Sequence, residues 1–440
     1  MTAEPSTPRS LTARELASLI GAAPTAIDAV VTGATHHSNR VRPGDAFFAL
    51  PGAQAHGMAY ADAALEAGAS LIVSDRPHPQ GLVVDRPADV LLDLGRWARA
   101  RLGVPVVGIT GSAGKTTARA LVKAAVGGES NAGNLNTPHA IAGRLLQAWS
   151  DAKGIPLVVE VGIDRPGEMD VLADLVRPDA ALLTAIAASH LDALGDLEGV
   201  AREKQKLLVR ADFRAVAWDA FERLYPTLQA TSSRYGLSRP GTVQASLSGS
   251  ALEPQLEVLE PQPLRVNLPG VGRGLAESAV GALVIAQHLG LDLKAAALRM
   301  QDAKLEPGRL TVRRGPPNRL VLDDAYNSNP ASAAASLDLL RQVDRPKIAL
   351  LGEMLEMGDE REARHEALGR ATVGLDGVWF VGPSADAFKR GNPEAVTTDT
   401  AGLMDALESL PADAAVLVKA SRSMRFDEIA NVLVDAGDGA

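Results

Sequence analysis

The run Thr110-Gly111-Ser112-Ala113-Gly114-Lys115-Thr116-Thr117 holds the most specific chemistry in this chain. Two glycines let backbone N–H groups turn inward. A lysine supplies a point charge, and a threonine hydroxyl beside it can hold Mg²⁺. That set suits the phosphates of a nucleoside triphosphate such as ATP. The longer form of this pattern wants a further Gly where Ile109 stands, so the match is to the shorter form. Context supports it. Residues 104–110 read as a buried strand and residues 118–126 as a helix, the strand–turn–helix order that the motif requires.

Other reactive side chains fall where strands should end. Glu160 closes the apolar run 157–160, and a carboxylate at a strand's carboxyl end near a phosphate cradle can bind Mg²⁺. A solvated strand-end carboxylate is the bland alternative. His190 follows the apolar run 182–186 and reads either as a metal ligand or as a packed histidine. Lys204 lies in Arg202-Glu203-Lys204-Gln205-Lys206, which alone reads as a charged, solvated helix face. Asp323 and Asp324 leave a strand into Tyr326-Asn327-Ser328-Asn329-Pro330, either as turn chemistry or as a grip on a ribose hydroxyl. Lys419, Ser421 and Arg422 follow the last strand and could hold an anion, or form a polar loop. Only 10 of the 44 basic residues are lysine, leaving 34 arginines. A position that stays lysine therefore points to a need for an amine, as at Lys115, Lys204 and Lys419.

The elements that must position these groups form an α/β protein of three domains. Residues 1–103 read as a small N-terminal α/β unit. Residues 104–306 alternate strand and helix, with strands near 156–161 and 179–186 and helices near 140–149, 168–176, 197–209 and 275–289. Such alternation implies a mainly parallel sheet covered by helices. The stretch 238–269 is expected to add strands and turns, as an antiparallel edge. Residues 307–440 begin a second series, with strands near 320–324, 347–351, 378–381 and 415–419. This C-terminal part is Rossmann-like, but no GxGxxG follows its first strand, which argues against dinucleotide binding.

Bulk composition narrows the class. A net charge of −9 without a basic stripe argues against nucleic acid as a partner. The absence of cysteine excludes disulfides and thiolate metal sites. No apolar run approaches a membrane span, and the N-terminus shows no secretory pattern, so a cytoplasmic enzyme is expected.

Taken together, TGSAGKTT at 110–117, GNLNTP at 133–138, VVEVGIDRPGEM at 158–169 and SHLDALGDLEGVAREK at 189–204 carry a resemblance. EPGRL at 306–310, DDAYNSNP at 323–330, LLGEMLEMG at 350–358 and LVKASR at 417–422 extend it over nearly the whole chain. The chain resembles the Mur ligases, ATP-dependent amide-forming enzymes of peptidoglycan precursor synthesis. GNLN, DDAYNSNP and LGEMLEMG favour the branch that adds D-alanyl-D-alanine to a UDP-N-acetylmuramoyl-tripeptide through an acyl phosphate. The resemblance implies that residues 110–117 cradle ATP, with Arg309, Asp324 and Asn327 near its ribose and phosphates. It implies Mg²⁺ at two sites, held by Thr116 and Glu160 and by His190 with a carbamylated Lys204. It places Lys115, Glu160, His190 and Lys204 at the catalytic centre. Ser38, Asn134, Asn136, Thr137, Asn329, Lys419, Ser421 and Arg422 would face the other substrates, in a molecule expected to be a monomer.

The chain also departs from the family's pattern. His37-Ser38-Asn39 stands where Asp-Ser-Arg is usual, and His56-Gly57-Met58 where Asp-Gly-His is usual. Thr184-Ala185-Ile186 replaces Thr-Asn-Ile. Val271-Gly272-Arg273 follows Leu-Pro-Gly without the usual His and Asn, and Lys206 stands where a Glu follows the carbamylated lysine. These departures keep open another Mur-type or folylpolyglutamate-type ligase, or a nucleotide-binding homologue without catalysis.

Overall fold

The computed structural model describes residues 7–52, 55–131, 135–188, 191–316 and 318–435. The first sheet is fully parallel, in the order Gly33–Thr35, Asp45–Phe48, Leu71–Ser74, Gly81–Val83. Its two inner strands are buried along their whole length, as expected when both faces of a parallel sheet are covered.

The central sheet has six parallel strands. Their order is Ser233–Tyr235, Phe213–Ala217, Ala180–Leu183, Val106–Thr110, Leu157–Glu160, Glu129–Ser130. The strand Val106–Thr110 therefore sits in the middle, with later strands on both sides. Ligands of open α/β sheets collect in the crevice outside the carboxyl ends at such a reversal. Thr110 and Glu160 end adjacent strands there, with Ile109 registered against Glu160.

Alternate residues of the middle strand enter different apolar clusters. Val107 and Ile109 pack with the helices Lys115–Val126, Arg273–His288 and Leu293–Gln301. Val106 joins a cluster that runs without a break from Phe48 and Leu71 of the first sheet to Leu145, Val159 and Leu207. The helix Pro87–Arg99 crosses Pro138–Asp151 closely at this junction. A Cβ on Gly95 would lie 2.6 Å from Ala142 Cβ, so only glycine allows that approach.

The stretch 238–269 forms its own three-stranded antiparallel sheet of Gln244–Gly249, Pro254–Glu260 and Leu264–Asn267. It joins the expected antiparallel pairing but is not an edge of the central sheet.

The third sheet runs Thr311–Gly315, Arg319–Asp323, Ala415–Lys419, Lys347–Gly352, Gly377–Val381, Val396–Thr398. Its first strand is antiparallel to the second, and the rest are parallel. That edge strand, rich in arginine and mostly half-buried, carries no apolar run. It escaped the sequence reading for that reason. The helix Pro330–Arg341 begins behind Asn329, and Lys419 ends the strand beside it.

Candidate active site

The strand Val106–Thr110 turns at Gly111 and enters the helix Lys115–Val126 at Gly114. Gly111 has φ 153° and Gly114 φ 77°, both in the range that favours glycine. A Cβ on Gly111 would overlap Thr184 Oγ1, which the turn holds close. Thr184 Oγ1 donates to Ala113 O at 2.5 Å, and Ser112 Oγ donates to Ala187 O at 2.9 Å. The loop after Ala180–Leu183 thus braces the turn. No side chain caps the helix, whose capping position is Gly114. A helix start of this kind suits an anion.

Lys115, Thr116, Glu160 and Lys204 come together at this crevice. Lys115 Nζ donates to Gly111 O at 2.8 Å. Burial lowers its pKa most; Glu160 and Asp164 oppose that shift, and Arg309 adds to it. Thr116 Oγ1 donates to Glu160 Oε1 at 3.2 Å, and both residues are buried. Glu160 is therefore not the solvated strand-end carboxylate of the bland reading. Its Oε2 is buried and, among the described residues, accepts no hydrogen bond, although Arg119 Nε lies 3.2 Å away in a misaligned ion pair. An orphaned carboxylate oxygen beside a threonine hydroxyl is a donor set that suits Mg²⁺.

Lys204 also departs from the solvated-face reading. It sits on the helix Leu197–Val209 and is 1% exposed. Among the described residues it has no ion-pair partner. Burial first, and the charge of Lys115 second, push its pKa well below the usual lysine range; Asp164 opposes them. Both effects favour the neutral, nucleophilic form of the amine over the charged one. Lys206, two residues on, is bound to Glu203 at 2.6 Å and Asp170 at 2.8 Å. His190 and Asn134 lie outside the described residues.

The linker 306–309, which leads into the third sheet, and the third sheet itself reach the same crevice. Arg309 Nη2 donates to Thr116 Oγ1 at 3.0 Å, and its guanidinium stacks 3.7 Å above the Tyr326 ring. Arg422 stands 5.4 Å from that ring. Asp324 accepts hydrogen bonds from Ser336 Oγ at 2.6 Å and from Lys419 Nζ. Lys419 is 1% exposed and also donates to Asn327 O at 3.0 Å. The polar-loop reading of Lys419 fails on that burial. Asn327 uses its own Oδ1 on Ser328 N, and Asn329 caps the helix through Ser332 N at 2.9 Å. Ser421 Oγ accepts from Leu355 N at 2.9 Å.

A recess of about 560 Å³ opens between the first and central sheets. His36, His37, Arg40, Lys123, His139 and Arg144 are among the residues that line it. The rings of His36 and His37 lie 4.0 Å apart, and those of His36 and His139 5.7 Å apart. Ser38 stands in the turn Ser38–Arg40 beside this recess. Thr137 caps the helix Pro138–Asp151, and Asn136 Nδ2 lies close against Gly162.

Three contributors were not singled out from sequence. Asn131 Oδ1 accepts Glu160 N at 2.9 Å and so fixes the backbone at the end of that strand. Asp164, four residues beyond Glu160, acts electrostatically on both Lys115 and Lys204. Arg119, one turn into the phosphate-loop helix, is 5% exposed and reaches Glu160. Its signal was the spacing of four residues from Lys115.

A phosphate loop at a parallel sheet's reversal, faced by a basic third sheet, defines a three-part ATP-utilising enzyme. Residues 109–282 match the Mur ligase middle domain, and 308–422 match the Mur ligase glutamate ligase domain. Residues 30–91 match the Mur ligase family catalytic domain. The chain belongs to the Mur ligase family of ATP-dependent ligases. It is 30% identical over 420 residues to the UDP-N-acetylmuramoyl-tripeptide–D-alanyl-D-alanine ligase of Synechocystis sp., covering 89% of each chain. It is 27% identical to the enzyme of that name from Escherichia coli, over 97% of this chain and 99% of that one. Its fold is similar to that of MurF from Acinetobacter baumannii, with TM-score 0.86 at 23% identity, over 98% of this chain and 100% of that one. It is also similar to MurF from Thermotoga maritima in complex with ADP, with TM-score 0.80 at 25% identity, over 92% and 97% of the two chains.

Proposed function

We propose that this protein joins D-alanyl-D-alanine to a UDP-N-acetylmuramoyl-tripeptide at the expense of ATP, in cytoplasmic peptidoglycan precursor synthesis, acting as a monomer. The observation that carries the reading is Lys204: a buried amine without an ion-pair partner among the described residues, beside the phosphate-loop lysine. Membership of the Mur ligase family and relatives bearing that name support the same substrates. Among the described residues, no helix is long and apolar enough to cross a membrane.

A carboxylate is a poor acyl donor. In the proposed reaction its oxygen attacks the γ-phosphorus of ATP, the bond to the β,γ-bridging oxygen breaks, and ADP leaves. The amine of D-alanyl-D-alanine then attacks the acyl carbon. The carbon–oxygen bond to phosphate breaks, phosphate leaves, and the amine gives up a proton. Both partners of the first step are anionic, so the site must supply positive charge.

Lys115 supplies part of it at the phosphates. Thr116 and Glu160 would hold one Mg²⁺, and a carbamylated Lys204 with His190 a second; these ions supply charge neutralisation at the transferred phosphoryl group. Carbamylation needs a neutral amine to attack carbon dioxide. Burial and the repulsion from Lys115 shift Lys204 toward that form, and the product is an anion where a cation would repel a metal. An arginine could not serve. Arg309 and Asp324 belong to the ATP side of the site, with the backbone carbonyl of Asn327 binding Lys419. Lys419, Ser421, Arg422 and Asn329 frame the third-domain side, where Lys419 and Ser421 act from buried positions. The His-lined recess, with Ser38, Asn136 and Thr137 nearby, is assigned to the nucleotide-sugar. On this reading residues 1–103 carry that sugar, 104–306 the ATP, and 307–440 the incoming dipeptide.

The test is a panel of UDP-muramoyl-peptides paired with D-alanyl-D-alanine, other dipeptides and single amino acids. Turnover is scored by ADP release and by the mass of the product. The proposal expects ADP and a product heavier by one dipeptide only with the tripeptide substrate and D-alanyl-D-alanine. ADP release with a single amino acid instead would move the protein to another step.

A further inference from the structure

Arg119 lies on the phosphate-loop helix and is 5% exposed. Its side chain meets three groups from different parts of the fold. It donates to Asn131 O and to Glu306 Oε1, and its Nε stands 3.2 Å from Glu160 Oε2. Among the described residues Nε and Oε2 are both buried and without a hydrogen bond, so the Glu160 pairing is misaligned. The Glu306 pairing is hydrogen-bonded. One buried cation is thus divided between two carboxylates, and it favours the one outside the central sheet.

Glu306 begins the linker to the third sheet. Three residues on, Arg309 holds Thr116 Oγ1 at 3.0 Å and stacks on Tyr326. Between them Gly308 O accepts Tyr326 N at 3.0 Å. The segment 306–309 therefore touches the phosphate loop at Arg119 and Thr116 and the third domain at Tyr326.

Resting on the reading that Glu160 binds Mg²⁺, we propose that Arg119 and Glu306 form a latch that couples metal loading at Glu160 to the seating of the linker and third domain. The physical argument is charge balance. A divalent cation on Glu160 takes up the carboxylate's charge and repels the guanidinium. Arg119, buried and unable to find water, then has Glu306 as its remaining carboxylate among the described residues. The Arg119–Glu306 pair strengthens as the metal arrives and draws the linker against the helix. By reciprocity, a linker held at Glu306 moves Arg119 off Glu160 and favours the metal. Arg119 is a positioning residue here, acting through Glu160 and Glu306.

The test measures ADP binding to the full chain by calorimetry as Mg²⁺ is varied, with the radius of gyration followed by solution X-ray scattering. Glu306→Gln keeps the shape and removes the charge. It is expected to raise the Mg²⁺ midpoint by about 5–10-fold, within the usual span of coupling between sites. It should also reduce the compaction that MgADP causes, while ADP affinity without Mg²⁺ stays within about twofold. Arg119→Lys is expected to keep part of the coupling, and Arg119→Gln none. Equal loss of ADP affinity with and without Mg²⁺ would mean a merely structural contact and overturn the proposal. So would an unchanged midpoint and an unchanged compaction. If Glu306→Gln fails to fold, Glu306→Asp, which keeps the charge and shortens the reach, is read in the same way. Glu160→Gln separates the two ideas. A midpoint that Glu160→Gln leaves alone removes Glu160 from the metal site. A midpoint raised by Glu160→Gln and not by Glu306→Gln removes the latch alone.

Discussion

Arg309 Nη2 donates to Thr116 Oγ1 at 3.0 Å, and the same hydroxyl donates to Glu160 Oε1 at 3.2 Å. A linker arginine is therefore two hydrogen bonds from the buried carboxylate of the central sheet. Arg309 also raises the positive potential at Lys115. Replacing it with glutamine should weaken ATP binding by about 10–100-fold, the range of one charge-assisted hydrogen bond. Equilibrium binding of a fluorescent ATP analogue checks this. Unaltered affinity would place the arginine outside the nucleotide site.

Lys204→Ala should abolish ADP release in the presence of all substrates, and formate or acetate should restore part of it. A small carboxylate can enter the space left by the side chain and replace the lost anion. Lys204→Arg should stay inactive under the same treatment, since it leaves a cation in place. Metal affinity should fall by about 10–100-fold in both variants. An untreated alanine variant with full turnover would remove Lys204 from the site.

Gly111→Ala should lose nucleotide binding with a smaller loss of stability. The added methyl meets Thr184 Oγ1, and the backbone angle of 153° disfavours any side chain. Gly95→Val acts in the opposite sense. It forces apart the helices that meet at Ala142 and should cost about 1–3 kcal/mol of stability, with phosphate-loop geometry preserved. Denaturant midpoints and nucleotide titrations on both variants distinguish the two effects.

Burial, then the charges of His37 and His139, lowers the pKa of His36 from 6.5 to about 4. The unfolded chain takes up a proton below about pH 6.5, whereas the folded one resists until about pH 4. The contribution of His36 is therefore fully present above pH 6.5 and is lost as pH falls toward 4. The melting temperature should drop over that interval, and His36→Gln should flatten the drop. A variant curve parallel to that of the wild type would show that His36 is not the responsible group.

The parallel strands and the phosphate loop were legible because apolar runs and glycine spacing act locally. The helices Glu168–Val176 and Leu197–Val209 coincide with their expected spans. The edge strand Thr311–Gly315 was not legible, because its arginines break the apolar pattern. Site chemistry was harder. Lys204 sits among Arg202, Glu203 and Lys206 in sequence, and that charge run hides its burial; only the scarcity of lysine hinted otherwise. Asn131 and Asp164 gain their roles from how the strand ends are brought together, which a linear motif does not display, whereas Arg119 could have been found from its place one helical turn after Lys115. Asn329, a substrate contact by motif, also caps a helix through its Oδ1, a second role that the motif does not display.

The unbroken apolar cluster from Phe48 to Leu207 has a consequence for selectivity. It joins the first sheet to Val106 of the strand that leads into the phosphate loop, so the span between the histidine-lined recess and that loop is preset by packing. Under the proposed activity, a substrate anchored by its nucleotide end must be long enough for its far carboxyl to arrive beside Lys115. The molecule would then act as a ruler, rejecting shorter peptides by reach alone, without any side chain needing to read the missing residue.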